Sequence, residues 1–456
     1  MKNRKKYTVG ALCAGYGGIE LGLQRILNPE TTWVSDFEDI PNRILEQRFH
    51  ESRSEKPVPN YGDLTLIESP PAVDIVTAGF PCQPVSVGGR RKGIEDERWL
   101  IEDVCRVARE AQARWLVLEN VRGIFSANQG EALRRVWDAL IDNGYSRFEW
   151  GVFRSSDVHA PHQRERWFCL ATNTHAESLD LSSSSPPPND MLRTLIANQT
   201  PSYVLEVARE NNPWRFYDEQ RALWDDDEPK PKKWDVEGCS DGTGALYDYT
   251  ELRGKPNHPK GFKTLPTPTA REYKDAGPKV NFARIASKRG LTGVIMAELC
   301  HKGRFKGWGE YAIAIEGWSE VIDRSAPSPL HEDKFGYLAP AFVEWMMGLP
   351  IGWVTDGDIG LHRTEALKAL GNGVVPHQAS FAIEKLHRRM DERLNTLEPE
   401  ERKMRHLLDL RQRGLTWEEI AQREGYAGHS GPRTFVKRRS STFTERPDLA
   451  DMYQMV

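Results

Sequence analysis

The sequence predicts an α/β fold in which a parallel β-sheet is covered by helices on both faces. Short apolar segments alternate with amphipathic segments through residues 7–172, as in strands joined by helical crossovers. The predicted strands are Tyr7–Cys13, Thr32–Ser35, Asp74–Ala78, Trp115–Leu118 and Trp167–Ala171. The predicted helices are Ile19–Ile26, Pro41–Phe49 and Glu131–Asn143. A glycine-rich turn between the first strand and the first helix favours the same fold.

The composition changes after this region. Ser182–Pro188 is a Ser/Pro run that predicts a linker or surface loop. From there to about Phe335 the chain is rich in Trp, Pro, Gly and charged residues, and its weak periodicity predicts an irregular second lobe. Helix and strand patterns return at Ala341–Met347 and from Leu367 onward. We therefore expect a domain built from 1–172 and 337–395, interrupted by a lobe at 173–336.

The last part of the chain predicts a small helical unit at 400–440. Its expected helices are Arg402–Gln412, Trp417–Glu424 and Pro432–Arg439. Thr416 and Glu419 have the spacing of a capping box for the second helix. The unit resembles a helix-turn-helix, whose basic third helix would dock in a DNA groove. A three-helix structural cap is an equally good interpretation.

Charge and cysteine content restrict the class of protein. A net charge of −4 is unlike a simple nucleic-acid-binding domain, so contact with a polyanion must rely on local basic patches. The six cysteines form no CxxC pair, which argues against a zinc site and a disulfide framework and favours a reduced cytosolic compartment. No run of 18 apolar residues is present, so we expect no membrane span.

The first candidate site is the loop Cys13-Ala14-Gly15-Tyr16-Gly17-Gly18, followed by Asp36 at the end of the second predicted strand. Glycines let a backbone approach a ligand closely, and an acid at this spacing commonly binds ribose hydroxyls. The loop departs from GxGxxG, so it suits a nucleoside cofactor without a pyrophosphate better than NAD. A plain glycine-rich turn with a surface aspartate is the alternative.

The second candidate is Cys82 in Gly79-Phe80-Pro81-Cys82-Gln83-Pro84, directly after a predicted strand. Cysteine is a strong nucleophile where the local field favours its thiolate, and this edge of a parallel sheet binds ligands. A buried structural cysteine is the alternative, but the flanking prolines favour a fixed loop. The basic loop at 87–93 follows, and it suits either closure over a phosphate backbone or a solvated turn.

Three further segments carry candidate residues. Glu119, in Glu119-Asn120-Val121, can act as an acid for a ring nitrogen at the same sheet edge, or merely cap the strand. Arg164 and Arg166 alternate along a strand, so both could reach a carbonyl oxygen and a phosphate, or form salt bridges within the sheet. Gly371-Asn372-Gly373-Val374-Val375-Pro376 predicts a tight turn before a C-terminal helix.

These segments, in this order and spacing, resemble the DNA cytosine-5 methyltransferase family of bacterial and phage type. The most specific marks are Pro81-Cys82-Gln83 with Ser86, Glu119-Asn120-Val121, and Gly371-Asn372-Gly373-Val374. The resemblance covers residues 7 to about 172 and about 337 to 385. It implies a Rossmann-like S-adenosylmethionine-dependent methyltransferase fold with an inserted irregular target-recognition lobe, to which this chain adds the small helical C-terminal segment.

The resemblance also implies the cofactor and the partners. The cofactor is S-adenosyl-L-methionine and no metal is expected. The implied cofactor-binding residues are Cys13, Ala14, Gly15, Tyr16, Gly17, Gly18, Asp36, Asp63, Pro81, Asn372 and Val374. Cys13 stands where many members have Phe, and His162 where many have Gln. The implied partner is double-stranded DNA, and a cognate restriction endonuclease is a further candidate. The protein is expected to be a monomer. Its expected location is the cytoplasm of a bacterial or phage-infected cell, where it would associate with the nucleoid.

The implied catalytic residues are Cys82, Glu119, Arg164 and Arg166. Cys82 would attack carbon-6 of a flipped cytosine and make carbon-5 nucleophilic, while Glu119 protonates ring nitrogen 3. Arg166, helped by Arg164, would hold the exocyclic oxygen. The base must leave the duplex, which costs a few kcal/mol. Two alternatives remain: an RNA cytosine methyltransferase, disfavoured by the large lobe, and a DNA-binding regulator built on the C-terminal segment.

Overall fold

The fold follows from a computed structural model of the 456-residue chain. It describes residues 5–50, 57–81, 99–125, 131–145, 147–173, 178–181, 263–274, 280–287, 289–301, 304–331, 336–396, 407, 415–426, 432–433 and 436. Cys82, the loop at 87–93, the Ser182–Pro188 run and most of the predicted lobe and helical tail lie outside these residues.

A six-stranded sheet forms the centre of the described structure. Its strands are β1 (Lys6–Leu12), β2 (Asn28–Ser35), β3 (Ile75–Ala78), β4 (Trp115–Val121), β5 (Arg147–Arg154) and β6 (Glu165–Thr172). They lie in the order β2-β1-β3-β4-β6-β5. The pairs β1/β2, β1/β3 and β3/β4 are parallel, with Leu12 opposite both Ser35 and Ala78. The first four strands therefore end at one edge.

The expectation of a wholly parallel sheet is wrong for β6. This strand runs antiparallel to both β4 and β5. Residues 155–164, which join β5 to β6, contain only the 3₁₀ turn Ser155–Val158, and such a short link suits an antiparallel pair rather than a crossover. The sequence analysis missed β5 itself. It lies at the sheet edge, and its Phe148, Trp150 and Val152 alternate with other residues and pack on one sheet face, a two-residue alternation that could have revealed the strand.

Helices cover both faces of the sheet, as predicted. The described helices are α1 (Gly18–Ile26), α2 (Asp39–Arg48), α3 (Ile101–Glu110), α4 (Glu131–Asp142), α5 (Phe282–Ser287), α6 (Leu291–Glu298), α7 (Ala312–Val321), α8 (Pro340–Met346), α9 (Arg363–Asn372), α10 (Pro376–Thr396) and α11 (Trp417–Arg423). Helices α1, α2 and α4 confirm the three predicted from the first region. One sheet face packs against α3 and α4, and the other against α1 and α10.

The part of the predicted lobe that the structure describes is more regular than expected. It contains α5, α6, α7 and a two-stranded ribbon of β7 (Cys300–His301) and β8 (Arg304–Phe305). Helix α6 is buried over Leu291–Met296, so it has no polar stripe and no helical periodicity in its sequence. Its side chains share a hydrophobic core with those of α8 and α9.

Two further predictions concern the end of the chain. Gly371 and Asn372 form the last turn of α9 rather than a separate turn, and Gly373 links α9 to α10. The capping box is confirmed: the Thr416 hydroxyl accepts from the Glu419 N–H, and Glu419 Oε2 accepts from the Thr416 N–H at 2.7 Å. Within the described ranges, every helix is too short or too polar to cross a membrane.

Candidate active site

The candidate residues meet at the edge where the parallel strands end. Residues 13–18, here called the cofactor loop, follow β1, and Asp36 follows β2. Gly79–Pro81 follow β3, and Pro81 directly precedes Cys82 in the chain. Strand β4 is longer than predicted, so Glu119 lies inside it. Ligands bind at this edge in open α/β sheets, so the fold gathers these segments where chemistry is possible.

The cofactor loop is held by Asp36. Cys13, Gly15 and Gly17 have positive φ angles of 49°, 58° and 81°, which turn the chain sharply before α1. The Gly15 N–H donates to Asp36 Oδ2 at 3.0 Å, and the Glu38 N–H donates to Asp36 Oδ1 at 3.1 Å. Burial raises the pKa of Asp36 to about 6, against the lowering effect of these N–H donors. The structure thus brings the predicted loop and its predicted acid together.

Two more predicted cofactor residues border this pocket. Burial raises the pKa of the Cys13 thiol, and the charges of Asp36 and Asp63 raise it further, so both carboxylates lie near that thiol. Asp63 Oδ1 accepts from the Thr65 N–H at 2.9 Å and from the Thr65 hydroxyl at 2.8 Å. A Cβ built on Gly15 would meet no atom within 4 Å. The loop therefore borders open space lined by acceptors.

Glu119 and Arg166 form a buried ion pair. Arg166 Nε lies 2.8 Å from Glu119 Oε1, and the side chains are 14% and 9% exposed. Burial raises the pKa of Glu119 above its ordinary value, although the Arg166 and Arg164 charges lower it. A Cβ built on Gly79 would lie 3.6 Å from Glu119 Oε2. The carboxyl group therefore faces the segment that leads into Cys82.

Asn120 holds the segment Gly79–Pro81 through a side-chain hydrogen bond. Its Nδ2 donates to the Phe80 carbonyl at 3.3 Å, and its Oδ1 accepts from the Val121 N–H at 2.8 Å. The Phe80 ring is buried and meets Trp99 edge to face, with centroids 6.0 Å apart. The main chain two residues before Cys82 is therefore anchored to the strand that carries Glu119.

Arg164 donates hydrogen bonds to two main-chain carbonyls from distant parts of the chain. It precedes β6, and its Nη2 donates to the Gly373 carbonyl at 2.7 Å while Nη1 donates to the Pro268 carbonyl at 3.2 Å. Strand alternation predicted that both arginines lie on one face and reach a carbonyl oxygen and a phosphate, or form salt bridges within the sheet. Arg166 pairs with Glu119, and the charge of Arg164 also lowers the pKa of Glu119. Arg164 instead connects β6 to the α9–α10 link and to the segment that returns from the predicted lobe.

The α9–α10 link packs directly on the cofactor loop. The Tyr16 hydroxyl donates to the Val374 carbonyl at 2.8 Å. A Cβ built on Gly373 would lie only 1.8 Å from the Tyr16 ring, and one on Gly18 would lie 2.4 Å from the Val374 carbonyl oxygen. Only glycine permits both approaches. Asn372 is exposed, and the link contacts the cofactor loop through Gly373 and Val374.

Comparison with known proteins decides the family. The model of the C-5 cytosine-specific DNA methylase family matches residues 7–388. The chain belongs to this family. It is 32% identical over 197 residues to the Type II methyltransferase M.HpaII of Haemophilus parainfluenzae. That alignment covers 42% of this chain and 52% of M.HpaII. It is 36% identical over 164 residues to the Type II methyltransferase M.BsuFI of Bacillus subtilis, covering 35% and 38%.

The chain therefore spans about half the length of these curated relatives or less. Among solved structures, a putative DNA modification methyltransferase encoded within an E. coli prophage aligns over 84% of this chain and 99% of its own. That alignment has a TM-score of 0.41 and 14% identity. The family of C-5 cytosine-specific DNA methylases accounts for the fold and for the arrangement of the motifs at the sheet edge.

In this member of the family, two features of the site were not predicted. Phe37 follows Asp36 and is 70% exposed beside the cofactor loop. The sequence could have indicated Phe37, because it is an aromatic residue next to Asp36, the candidate ribose-binding acid. His162 is fully buried, with Nδ1 2.9 Å from the Ser155 hydroxyl and Nε2 3.1 Å from the Met346 carbonyl. Burial lowers the pKa of His162 to about 3, so it is a neutral structural link between the β5–β6 connection and α8.

Proposed function

We propose that this chain is a DNA (cytosine-5-)-methyltransferase that acts on duplex DNA with S-adenosylmethionine. The observation that carries the proposal is the buried Glu119–Arg166 pair beside Gly79, three residues before Cys82. The pair lies at the same sheet edge as the cofactor loop. An acid and a cation beside a nucleoside-binding loop, with a cysteine next in the chain after Pro81, match the needs of methyl transfer to a pyrimidine.

The residues around the cofactor loop fit S-adenosylmethionine. Asp36 offers a carboxylate to ribose hydroxyls, and the open space beside Gly15 leaves room for the sugar. The exposed Phe37 ring is available to stack on an adenine. Asp63, Pro81, Asn372 and Val374 would complete the pocket wall, with Cys13 at its floor. When bound, the cofactor supplies an electrophilic methyl group on a sulfonium.

The chain's own residues would activate the base. The Cys82 thiolate forms a bond to carbon-6 of cytosine, and the ring electrons shift so that carbon-5 becomes nucleophilic. Glu119 gives its proton to ring nitrogen 3, and Arg166 holds the exocyclic oxygen. After carbon-5 takes the methyl group, that carbon loses its proton to water acting as the base, the electron pair re-forms the carbon-5–carbon-6 double bond and expels the Cys82 thiolate. Ring nitrogen 3 then returns its proton to Glu119. Arg164 would act indirectly: it donates to the Gly373 carbonyl and so holds Gly373 next to Tyr16.

The DNA and cellular assignments belong to the same proposal. We assign target recognition to 173–336, with the catalytic domain formed by 1–172 and 337–395. The basic loop at 87–93 would hold the DNA around the flipped base. The helix-turn-helix-like segment at 400–440 would add contacts to long DNA. We further propose a monomer that is cytoplasmic and nucleoid-associated, acting beside a cognate restriction endonuclease or alone.

Bisulfite sequencing tests the function. DNA from a host without cytosine methylation is incubated with the purified protein and S-adenosylmethionine, and transfer RNA is treated in parallel. We expect protected cytosines at one short sequence in the DNA and none in the RNA. Protection in the RNA alone would show that the substrate is RNA, and protection in neither would refute the proposed activity.

Phe37→Ala is expected to weaken cofactor binding. Stacking of a base on an aromatic ring contributes about 1–3 kcal/mol, so the dissociation constant for S-adenosylmethionine should rise about 5- to 150-fold. The side chain is exposed, so the melting temperature should change little. Calorimetric titration measures the constant. Ile141→Ala, at a 49% exposed apolar residue on α4, is the control and should bind like the wild type. Equal affinity of both variants would exclude Phe37 from the cofactor site.

A further inference from the structure

Glu344 organises the turn that follows α8. This turn, residues 350–356, is here called the brace. Glu344 is 2% exposed, and its Oε1 accepts from the N–H groups of Val354 at 2.7 Å and Thr355 at 3.0 Å. Its Oε2 accepts from the Gly352 N–H at 2.8 Å and the Thr355 hydroxyl at 2.9 Å. Four donors on one buried carboxyl group give the brace a single conformation.

The brace places Trp353 against the cofactor loop. Trp353 Nε1 donates to the Tyr16 carbonyl at 2.8 Å. Its ring meets Phe49 edge to face, with centroids 6.1 Å apart, and the Arg48 guanidinium lies 5.9 Å from the ring centroid. Arg48 Nε also donates to the Trp353 carbonyl at 2.9 Å, and Arg48 forms an ion pair with Asp356 at 3.1 Å. Trp353 is thus fixed at its ring and at its main chain.

Tyr16 is the residue of the cofactor loop that most needs support. It lies between Gly15 and Gly17, both with positive φ, and glycine leaves the main chain free to adopt other conformations. Two contacts restrict it. Its hydroxyl donates to the Val374 carbonyl, and its own carbonyl accepts from Trp353. The Gly17 N–H donates to the Ala14 carbonyl at 2.8 Å, so without the Trp353 bond the peptide that joins Tyr16 to Gly17 is held at its N–H but no longer at its carbonyl.

We propose that Glu344 and Trp353 are positioning residues for S-adenosylmethionine, holding the cofactor loop in its binding conformation before the cofactor arrives. The inference rests on the proposed function, because it concerns the cofactor of that reaction. Preorganisation lowers the cost of binding, so loss of the Trp353–Tyr16 bond should weaken cofactor affinity. Neither residue touches Glu119 or Arg166 in the described contacts, so turnover at saturating cofactor should be retained.

Trp353→Phe tests the proposal directly. Phenylalanine keeps an aromatic ring beside Phe49 and Arg48 but has no N–H for the Tyr16 carbonyl. A hydrogen bond of this kind contributes about 0.5–1.5 kcal/mol, so we expect the dissociation constants for S-adenosylmethionine and S-adenosylhomocysteine to rise about 2- to 12-fold. The KM for S-adenosylmethionine should rise in proportion, with kcat unchanged. Glu344→Gln should shift the same constants in the same direction, since its amide would face N–H donors.

Trp318→Phe is the matched control. Trp318 Nε1 also donates to a main-chain carbonyl, that of Trp345 at 2.9 Å, but it does so within the α7–α8 core. This variant should lower the melting temperature without changing cofactor affinity. The inference would be overturned if Trp353→Phe bound S-adenosylmethionine as tightly as the wild type. It would also be overturned if Trp318→Phe lost as much cofactor affinity as Trp353→Phe. A wild-type protein that binds no S-adenosylmethionine would instead refute the proposed function.

Discussion

Replacing Cys82 with serine is expected to abolish methyl transfer while leaving cofactor binding intact. A serine hydroxyl is a far weaker nucleophile than a thiolate near neutral pH, so we expect the rate to fall by at least about 10³-fold. The cofactor loop and Asp36 come from β1 and β2, whereas Cys82 follows β3. The dissociation constant for S-adenosylmethionine should therefore stay near the wild-type value. Transfer of tritium from labelled cofactor to DNA measures the rate.

Cys300→Ser is the control for this experiment. Cys300 is a free, half-buried cysteine on β7, away from the sheet edge. Its serine variant should keep wild-type activity. Substantial turnover by Cys82→Ser would refute the covalent mechanism. Loss of activity together with loss of cofactor binding would show instead that the substitution disturbs the fold.

Glu119→Gln is expected to have the second largest effect. The amide cannot give a proton to ring nitrogen 3, and loss of general acid catalysis costs about 10²–10⁴-fold in rate. Glutamine keeps nearly the same volume beside Arg166, so the packing around the side chain should change little. We therefore expect kcat to fall while the melting temperature and the cofactor affinity are largely retained.

The pH dependence gives Glu119 a separate signature. Burial raises the pKa of Glu119, so the carboxyl group keeps its proton to a higher pH than an exposed glutamate. The proton is lost as the pH rises through this pKa, and kcat of the wild type should fall there. The residual activity of Glu119→Gln should lack this decrease. An unchanged pH profile in the variant would contradict the assignment of the acid.

Glu165→Gln is the control for charge alone. Glu165 neighbours Arg166 in the chain, but it pairs with Arg122 at 2.7 Å and Arg154 at 3.1 Å. Partly exposed ion pairs contribute about 0–1 kcal/mol, so this variant should change the rate by less than about fivefold. If Glu165→Gln lowered the rate as much as Glu119→Gln, the negative charge of any carboxylate near Arg166 would be required. Glu119 would then not be shown to act as a specific acid.

The sequence was most informative where function depends on a short segment. The cofactor loop and Asp36 each follow a strand, and Glu119 comes directly after the apolar run 115–118 of β4, so their place at the sheet edge could be predicted. Strand β5 was missed although Phe148, Trp150 and Val152 alternate in its sequence and pack on the same side of the sheet, so a signal for it was present. The antiparallel direction of β6 depends on the short 155–164 link, and missing β5 concealed that link.

Contacts between distant segments could not be predicted at all. Strand alternation predicted Arg164 and Arg166 on one face, but it could not predict that Arg164 donates to the Gly373 carbonyl, far along the chain. Trp353 and Tyr16 are likewise joined by one hydrogen bond across most of the chain. Such pairings follow from how α8, α9 and α10 pack on the sheet, and no local pattern of residues records that packing.

The most direct test of the account is a covalent trap. Once bisulfite sequencing has identified the recognised site, duplex DNA is prepared with 5-fluorocytosine at the target position. After methyl transfer the fluorine cannot leave carbon-5 as a proton does, so the Cys82–carbon-6 bond should persist. With S-adenosylmethionine present, we expect a complex of wild-type protein and DNA that resists denaturation, and none with Cys82→Ser. Absence of the complex with active wild-type protein, or its formation by Cys82→Ser, would contradict a cytosine-5 methyltransferase that works through this cysteine.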